Sequence, residues 1–69
     1  MQRISVSSSD VAEVGYDAGS MTLEVAFQSG GVYQYFDVPE SVYQELMRAP
    51  SKGGFLHANI RNNYRYTKL

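Results

Sequence analysis

The sequence contains no cysteine and a single histidine, His57. A disulfide framework is therefore excluded, and the usual Cys/His metal sites lack their ligands. No apolar run approaches the roughly eighteen residues of a membrane span, and the amino terminus has no basic segment followed by a hydrophobic stretch. We therefore expect a cytoplasmic protein that uses no metal or other cofactor and does not enter a membrane.

The chain has 69 residues, and a domain of this size buries only about 60% of the surface that its unfolded chain exposes. Its stability is expected to come from packing alone, because the sequence offers neither disulfides nor the usual structural metal ligands. The composition supplies apolar area for that packing, since 43% of the residues are hydrophobic and the aromatic residues are six tyrosines and three phenylalanines. We expect residues 1–69 to form one domain around one core.

The net charge of −1 conceals an uneven distribution along the chain. Residues 1–45 hold all seven acidic groups and one arginine, which gives −6, whereas residues 46–69 hold five basic groups, which gives +5. Such asymmetry can create a positive face on a nearly neutral protein. The alternative is that the fold interleaves the two halves and the charges only solvate the surface.

Alternation of apolar and polar residues predicts a series of strands. Residues 11–16 are predicted as a strand, 17–20 as a turn, and 21–28 as the clearest strand, with Ser29-Gly30-Gly31 as the hairpin connection to a strand at 32–37. The first ten residues fit a short edge strand or a frayed end, and the tail from Tyr64 to Leu69 fits an edge strand or an extended tail.

Two short helices are predicted after these strands. Pro39 suits the first turn of one helix, whose apolar stripe continues to Met47 before Ala49-Pro50 ends it. Ser51 can cap a second helix, in which His57 and Arg61 share a face. The predicted fold class is α+β, an antiparallel meander of three or four strands followed by two short helices packed on one face.

The order of these signals resembles the KTSC domain, a bacterial module of about this length. The matching features are Ser7-Ser8-Ser9 before Val14-Gly15-Tyr16-Asp17, Tyr33-Gln34-Tyr35, Val38-Pro39 with Val42-Tyr43, Ser51-Lys52-Gly53, and Ile60-Arg61 leading to Tyr64. The KTSC domain occurs at the carboxyl terminus of some lysyl-tRNA synthetases and also as a lone small protein. The resemblance implies a single KTSC-like domain over 1–69 and, through the fusion partner, binding to RNA.

Catalysis is not expected, and we predict that the protein is not an enzyme. A nucleophile needs an adjacent base and a group that orients the base, and His57 lies on a predicted helix rich in arginine and asparagine. The acidic residues fall on predicted turns and exposed faces, so paired carboxylates are not expected either. His57 is interpreted as a solvent-facing or capping residue.

The carboxyl-terminal segment interleaves aromatic and basic residues, which is the pattern of a single-stranded nucleic-acid site. Cations would contact phosphates and tyrosine rings would stack on bases, with single-stranded RNA or tRNA as the expected partner. The candidate residues in this segment are Arg61, Arg65 and Lys68 with Tyr64 and Tyr66.

Three further residues are candidates for the same interface. Tyr33 and Tyr35 would form a second stacking platform if they faced outward, and the alternative is packing in the core. Lys52 lies at the predicted start of the second helix, where unpaired N–H groups could bind a phosphate, and the alternative is a capped helix with no ligand. A competing function is a protein-interaction module that docks on a partner chain or forms a weak homodimer through exposed aromatic residues.

Overall fold

The computed structural model describes residues 1–69 and contains one antiparallel sheet and two helices. The strands lie in the sheet in chain order: β1 (Arg3–Ser5), β2 (Val11–Asp17), β3 (Thr22–Phe27), β4 (Val32–Tyr35) and β5 (Tyr66–Lys68). Helix α1 spans Glu40–Arg48. Helix α2 begins with an α-helical turn, Lys52–Phe55, and continues as a π-helical segment, Leu56–Ile60.

The predicted α+β class, the meander and the helix pair are confirmed, but the sheet has five strands instead of three or four. Both segments that the sequence left open are edge strands. The amino-terminal strand β1 pairs with β2. The tail returns to the sheet after the helices as β5, where Tyr66 pairs with Tyr35 and Lys68 with Tyr33.

Side chains and glycine shape the two hairpin connections. In the β2–β3 turn, the carboxylate of Asp17 accepts hydrogen bonds from the Gly19 N–H at 3.2 Å and the Ser20 hydroxyl at 2.8 Å. Met21, predicted as the first residue of a strand, has a φ of 55° and belongs to the turn, so β3 begins one residue later. Gly30 has a φ of 103° in the β3–β4 connection, a conformation that glycine adopts without steric cost.

The core lies between one face of the sheet and the helices. Cross-strand neighbours such as Val14 and Val25, or Leu23 and Tyr35, place their side chains on this face. The buried core cluster consists of Val11, Val14, Leu23, Val25, Tyr35, Val38, Leu46, Leu56 and Ile60. The opposite face carries polar groups, where the Arg3 side chain lies between Glu13 and Glu24 at 3.4 and 3.5 Å.

The junction between the helices is closed by polar contacts. The hydroxyl of Ser51 accepts a hydrogen bond from the Gly54 N–H at 3.1 Å, so Ser51 is the predicted helix cap. The ammonium of Lys52 donates to the carbonyl oxygens of Met47 and Ala49 at 3.1 and 2.7 Å. Because these carbonyls end α1, Lys52 satisfies acceptors that the helix itself leaves unpaired.

Candidate nucleic-acid interface

A cavity of about 260 Å³ opens between the sheet and α2, and we call it the tyrosine pocket. Strands β4 and β5 supply its aromatic side, and the amino-terminal loop and α2 supply its polar side. Phe27, Leu56 and Ser29 complete its lining. The residues that define it are Tyr33, Tyr35, Tyr66, Asp10, His57 and Arg61.

Three tyrosines form the aromatic side because their strands are paired in register. The ring centroids of Tyr33 and Tyr35 are 6.4 Å apart, and the Tyr66 ring lies 5.9 Å from each of them. Phe27 meets the Tyr33 ring edge-on at 5.6 Å. Exposure differs along this side, since Tyr66 is 57% exposed, Tyr33 is half-buried and Tyr35 is 4% exposed. Tyr66 and Tyr33 are therefore the rings that a ligand can reach.

Tyr35 belongs to the core, and the prediction that its ring offers a stacking surface is corrected by its burial. Its hydroxyl group is different. The hydrogen bonds formed by side chains do not include this hydroxyl, and the structure contains no enclosed side-chain polar atom without a partner. The hydroxyl therefore reaches the tyrosine pocket, which Tyr35 lines. Burial raises the pKa of Tyr35, as does neighbouring Tyr33, whereas the charge of Arg61 opposes this rise.

The polar side is a chain of three side chains. Oδ2 of Asp10 lies 3.1 Å from Nε2 of His57, and Nδ1 of the same ring lies 3.4 Å from a guanidinium nitrogen of Arg61. Arginine can only donate, so Nδ1 must act as acceptor and Nε2 must carry the proton that Asp10 accepts. His57 is exposed, as predicted, but no pattern in the sequence indicated Asp10 as its partner.

The predicted cations separate into two groups. Arg61 lines the tyrosine pocket, and the ammonium of Lys68 lies 5.9 Å from the Tyr33 ring centroid. Arg65 instead pairs with Asp37 at 3.0 Å on an exposed surface, and the ammonium of Lys52 is held by α1. Only Arg61 and Lys68 therefore lie beside the accessible tyrosines.

The remaining aromatic candidate and the helix start lie outside the pocket. Tyr64 is half-buried and packs against the core. Lys52 lines a second, shallow cavity with the serines of the amino-terminal loop. The Ser51 hydroxyl already accepts the Gly54 N–H there, so this helix start has the geometry of the capped helix that was the alternative interpretation.

Two other findings bear on function. No group of three or more histidine, aspartate or glutamate side chains is arranged to hold a metal ion. Neither helix has the length and apolar character needed to cross a bilayer.

The fold and the pocket define a class of small α+β modules in which a five-stranded meander carries a helix pair on one face. Within that class, the sequence model of the KTSC domain matches residues 7–64, and the chain belongs to the KTSC domain family. The crystal structure of a KTSC domain protein from Yersinia pestis is similar to it with a TM-score of 0.96 and 41% sequence identity. That similarity covers 99% of this chain and 96% of the Yersinia protein.

Two kinds of relatives match the chain in sequence. A lysine–tRNA ligase of Trichormus variabilis is 43% identical over 59 residues, which is 86% of this chain and 10% of the ligase. An uncharacterized protein of Stutzerimonas stutzeri is 37% identical over 70 residues, which covers 100% of this chain and 99% of that protein. The chain thus spans about a tenth of the length of the ligases that it matches.

Proposed function

We propose that the protein is a non-catalytic module that binds single-stranded RNA, or an unpaired segment of tRNA, at the tyrosine pocket. The observation that carries this proposal is the clustering of Tyr33, Tyr66 and Arg61 around one cavity, with the ammonium of Lys68 beside the Tyr33 ring. Single strands are bound by aromatic faces that stack on bases and by cations that contact phosphates. A cytoplasmic location is part of the proposal.

Similarity to lysine–tRNA ligases supports an RNA partner. These ligases are named for tRNA, and a segment of each is 38 to 43% identical to this chain. A small module attached to such an enzyme can raise the effective concentration of its substrate without taking part in the chemistry.

The geometry around His57 favours binding over catalysis. An Asp–His pair activates a nucleophile only when the second ring nitrogen faces a hydroxyl or thiol. Here that nitrogen, Nδ1, faces the guanidinium of Arg61, which donates a hydrogen bond to it and is not a nucleophile that the pair could activate. The pair therefore orients a cation at the pocket, and we extend the proposal to the absence of enzymatic activity.

The charges of the pocket set the expected strength of binding. Each phosphate contact to a single strand contributes about −0.7 to the slope of log affinity against log salt. Arg61 and Lys68 together therefore predict a slope of about −1.4, and the net charge of −1 predicts weak binding at physiological salt. Interactions of this size are measured best by nuclear magnetic resonance.

A titration of the isotope-labelled protein with mixed single-stranded oligoribonucleotides tests the proposal. We expect chemical-shift changes in β4, β5 and α2, and a loss of most of the response in Arg61→Ala. Arg48→Ala is the matched control, because Arg48 is exposed on α1 and does not line the pocket. An absence of shifts with every oligonucleotide, or equal losses in the two variants, would refute RNA binding at this site.

One observation favours the second candidate function, docking of a protein chain. Strand β5 is an edge of the sheet, and Tyr66 and Leu69 expose 57% and 66% of their surface beside it. An extended partner strand could pair with this edge. Light scattering that finds a dimer, together with no response to RNA, would favour this function over the first.

A further inference from the structure

The tyrosine pocket has the size and chemistry of a site for one nucleotide unit, and this inference rests on the proposed function. Its volume of about 260 Å³ lies below the roughly 300 to 1,000 Å³ of sites for drug-sized ligands. A cavity of this size has room for one base, and the rest of a bound strand would lie outside it. We infer that the pocket accepts a single unpaired nucleotide, with its base against Tyr66 and Tyr33 and its phosphate on Arg61.

The aromatic side supplies the surface for the base. The ring of Tyr66 is open to solvent, and its centroid is 5.9 Å from that of Tyr33, with 48° between the ring planes. The planes are tilted rather than parallel, so the two contacting rings present one face and one edge to the pocket. A planar base can stack on one ring and meet the edge of the other.

The Tyr35 hydroxyl offers a polar contact to a ligand in the pocket. The Tyr35 ring is buried, with 4% of the residue exposed, and the residue lines the pocket. Because the hydroxyl is open to the pocket, a ligand that enters can pair with it in place of water. Because a hydroxyl can donate and accept, it can pair with a carbonyl oxygen, ring nitrogen or amino group on a base edge.

Arg61 supplies the phosphate contact, and the Asp10–His57 pair positions it. The Nδ1 atom of His57 accepts one guanidinium N–H, which leaves the other N–H groups free to form a fork around phosphate oxygens. The carboxylate of Asp10 is engaged by Nε2 at the opposite edge of the ring. The negative charge of Asp10 thus lies behind the imidazole, and the positive charge of Arg61 lies in front of it.

Free nucleotides separate this inference from general RNA binding. The full chain is titrated with nucleoside monophosphates, with the corresponding nucleosides and with inorganic phosphate, and shifts are mapped by residue. We expect monophosphates to shift the signals of the pocket residues. Arg61→Ala should weaken monophosphate binding about tenfold, the effect of a lost charged hydrogen bond, and leave nucleoside binding unchanged.

Tyr35→Phe provides a second variant that keeps the ring and therefore the packing of the core. Loss of one neutral hydrogen bond predicts binding that is about fivefold weaker, with a changed order of preference among the four bases. Arg48→Ala should match the wild type in every titration. The spectrum of each free variant shows directly that the fold is retained.

The outcomes distinguish the inference from the proposed function. If oligonucleotides bind but monophosphates fail to shift the pocket residues, the single-nucleotide pocket is overturned and RNA binding stands. If monophosphates bind at the pocket and oligonucleotides do not bind at all, the pocket is supported and the RNA function is overturned. Equal effects of Arg61→Ala and Arg48→Ala on monophosphate binding would also overturn the inference.

Discussion

The Asp10 carboxylate and the His57 imidazole, 47 positions apart in the chain, meet at 3.1 Å and connect the loop before β2 to helix α2. The Asp10 side chain also lies against the backbone of α2 at Gly53, where an added Cβ atom would be 3.0 Å from Oδ2 of Asp10. Glycine at position 53 therefore lets the loop and the helix come together. The polar side of the tyrosine pocket depends on this approach.

The first prediction concerns the tautomer of His57. With Asp10 accepting at Nε2 and Arg61 donating at Nδ1, the neutral ring should carry its proton on Nε2. Nitrogen chemical shifts of the neutral imidazole measure this directly. Asp10→Ala should keep the proton on Nε2, because Arg61 still donates at Nδ1, and a wild-type ring protonated on Nδ1 would contradict the assigned chain of contacts.

The second prediction concerns Gly15 of β2, which pairs with Arg3 of β1. A Cβ atom at this position would lie 2.7 Å from the backbone oxygen of Gln2, so Gly15→Ala forces the strands apart. We expect the free energy of unfolding in urea to fall by about 1 to 3 kcal/mol. Gly19→Ala is the control, because its nearest neighbour would be an ordinary 3.5 Å away. Equal stability of the two variants would show that β1 is not held as described.

The third prediction concerns Lys52, whose charge the structure assigns to α1 and not to a ligand. Lys52→Met removes two hydrogen bonds to carbonyl oxygens at the helix end, and should lower the free energy of unfolding by roughly 1 to 3 kcal/mol. RNA affinity should remain unchanged. A variant with wild-type stability and weakened RNA binding would show instead that Lys52 contacts RNA.

The fourth prediction concerns stability at alkaline pH. Burial raises the pKa of Tyr35, and burial together with the charge of Glu40 raises the pKa of Tyr16. Between the ordinary tyrosine value of about 10 and these raised values, the unfolded chain loses protons that the folded chain retains. The stability that these two tyrosines contribute is therefore constant below their ordinary pKa and falls as pH rises above it. Tyr35→Phe should make this fall shallower, as measured by urea unfolding at several pH values, and an unchanged slope would contradict the raised pKa of Tyr35.

The local elements were predictable from the sequence because their signals are local. Alternation of apolar residues located β2 and β3, and proline and serine located the starts of the helices. The pairing of β5 with β4 was left open, since the alternating tail fits an edge strand and a free tail equally well. Which of these two occurs depends on a partner strand some thirty residues earlier in the chain.

The site was predicted in part, and the errors have a common physical cause. Arg61, Lys68, Tyr33 and Tyr66 do come together, but the contacts of other candidates depend on residues distant in sequence or on an adjoining helix. Arg65 pairs with Asp37, which lies 28 positions earlier in the chain, and nothing in the spacing indicated that pair or the Asp10–His57 pair. Lys52 carried a usable signal, because a lysine just after a helix end commonly binds the last carbonyl groups.

The salt dependence of RNA affinity tests the central claim, that the tyrosine pocket binds a nucleic-acid strand through Arg61 and Lys68. We predict a slope of log affinity against log salt of about −1.4 for the wild type and about −0.7 for Arg61→Ala, with Arg48→Ala equal to the wild type. A slope near zero for the wild type, or the same slope in Arg61→Ala, would contradict the claim.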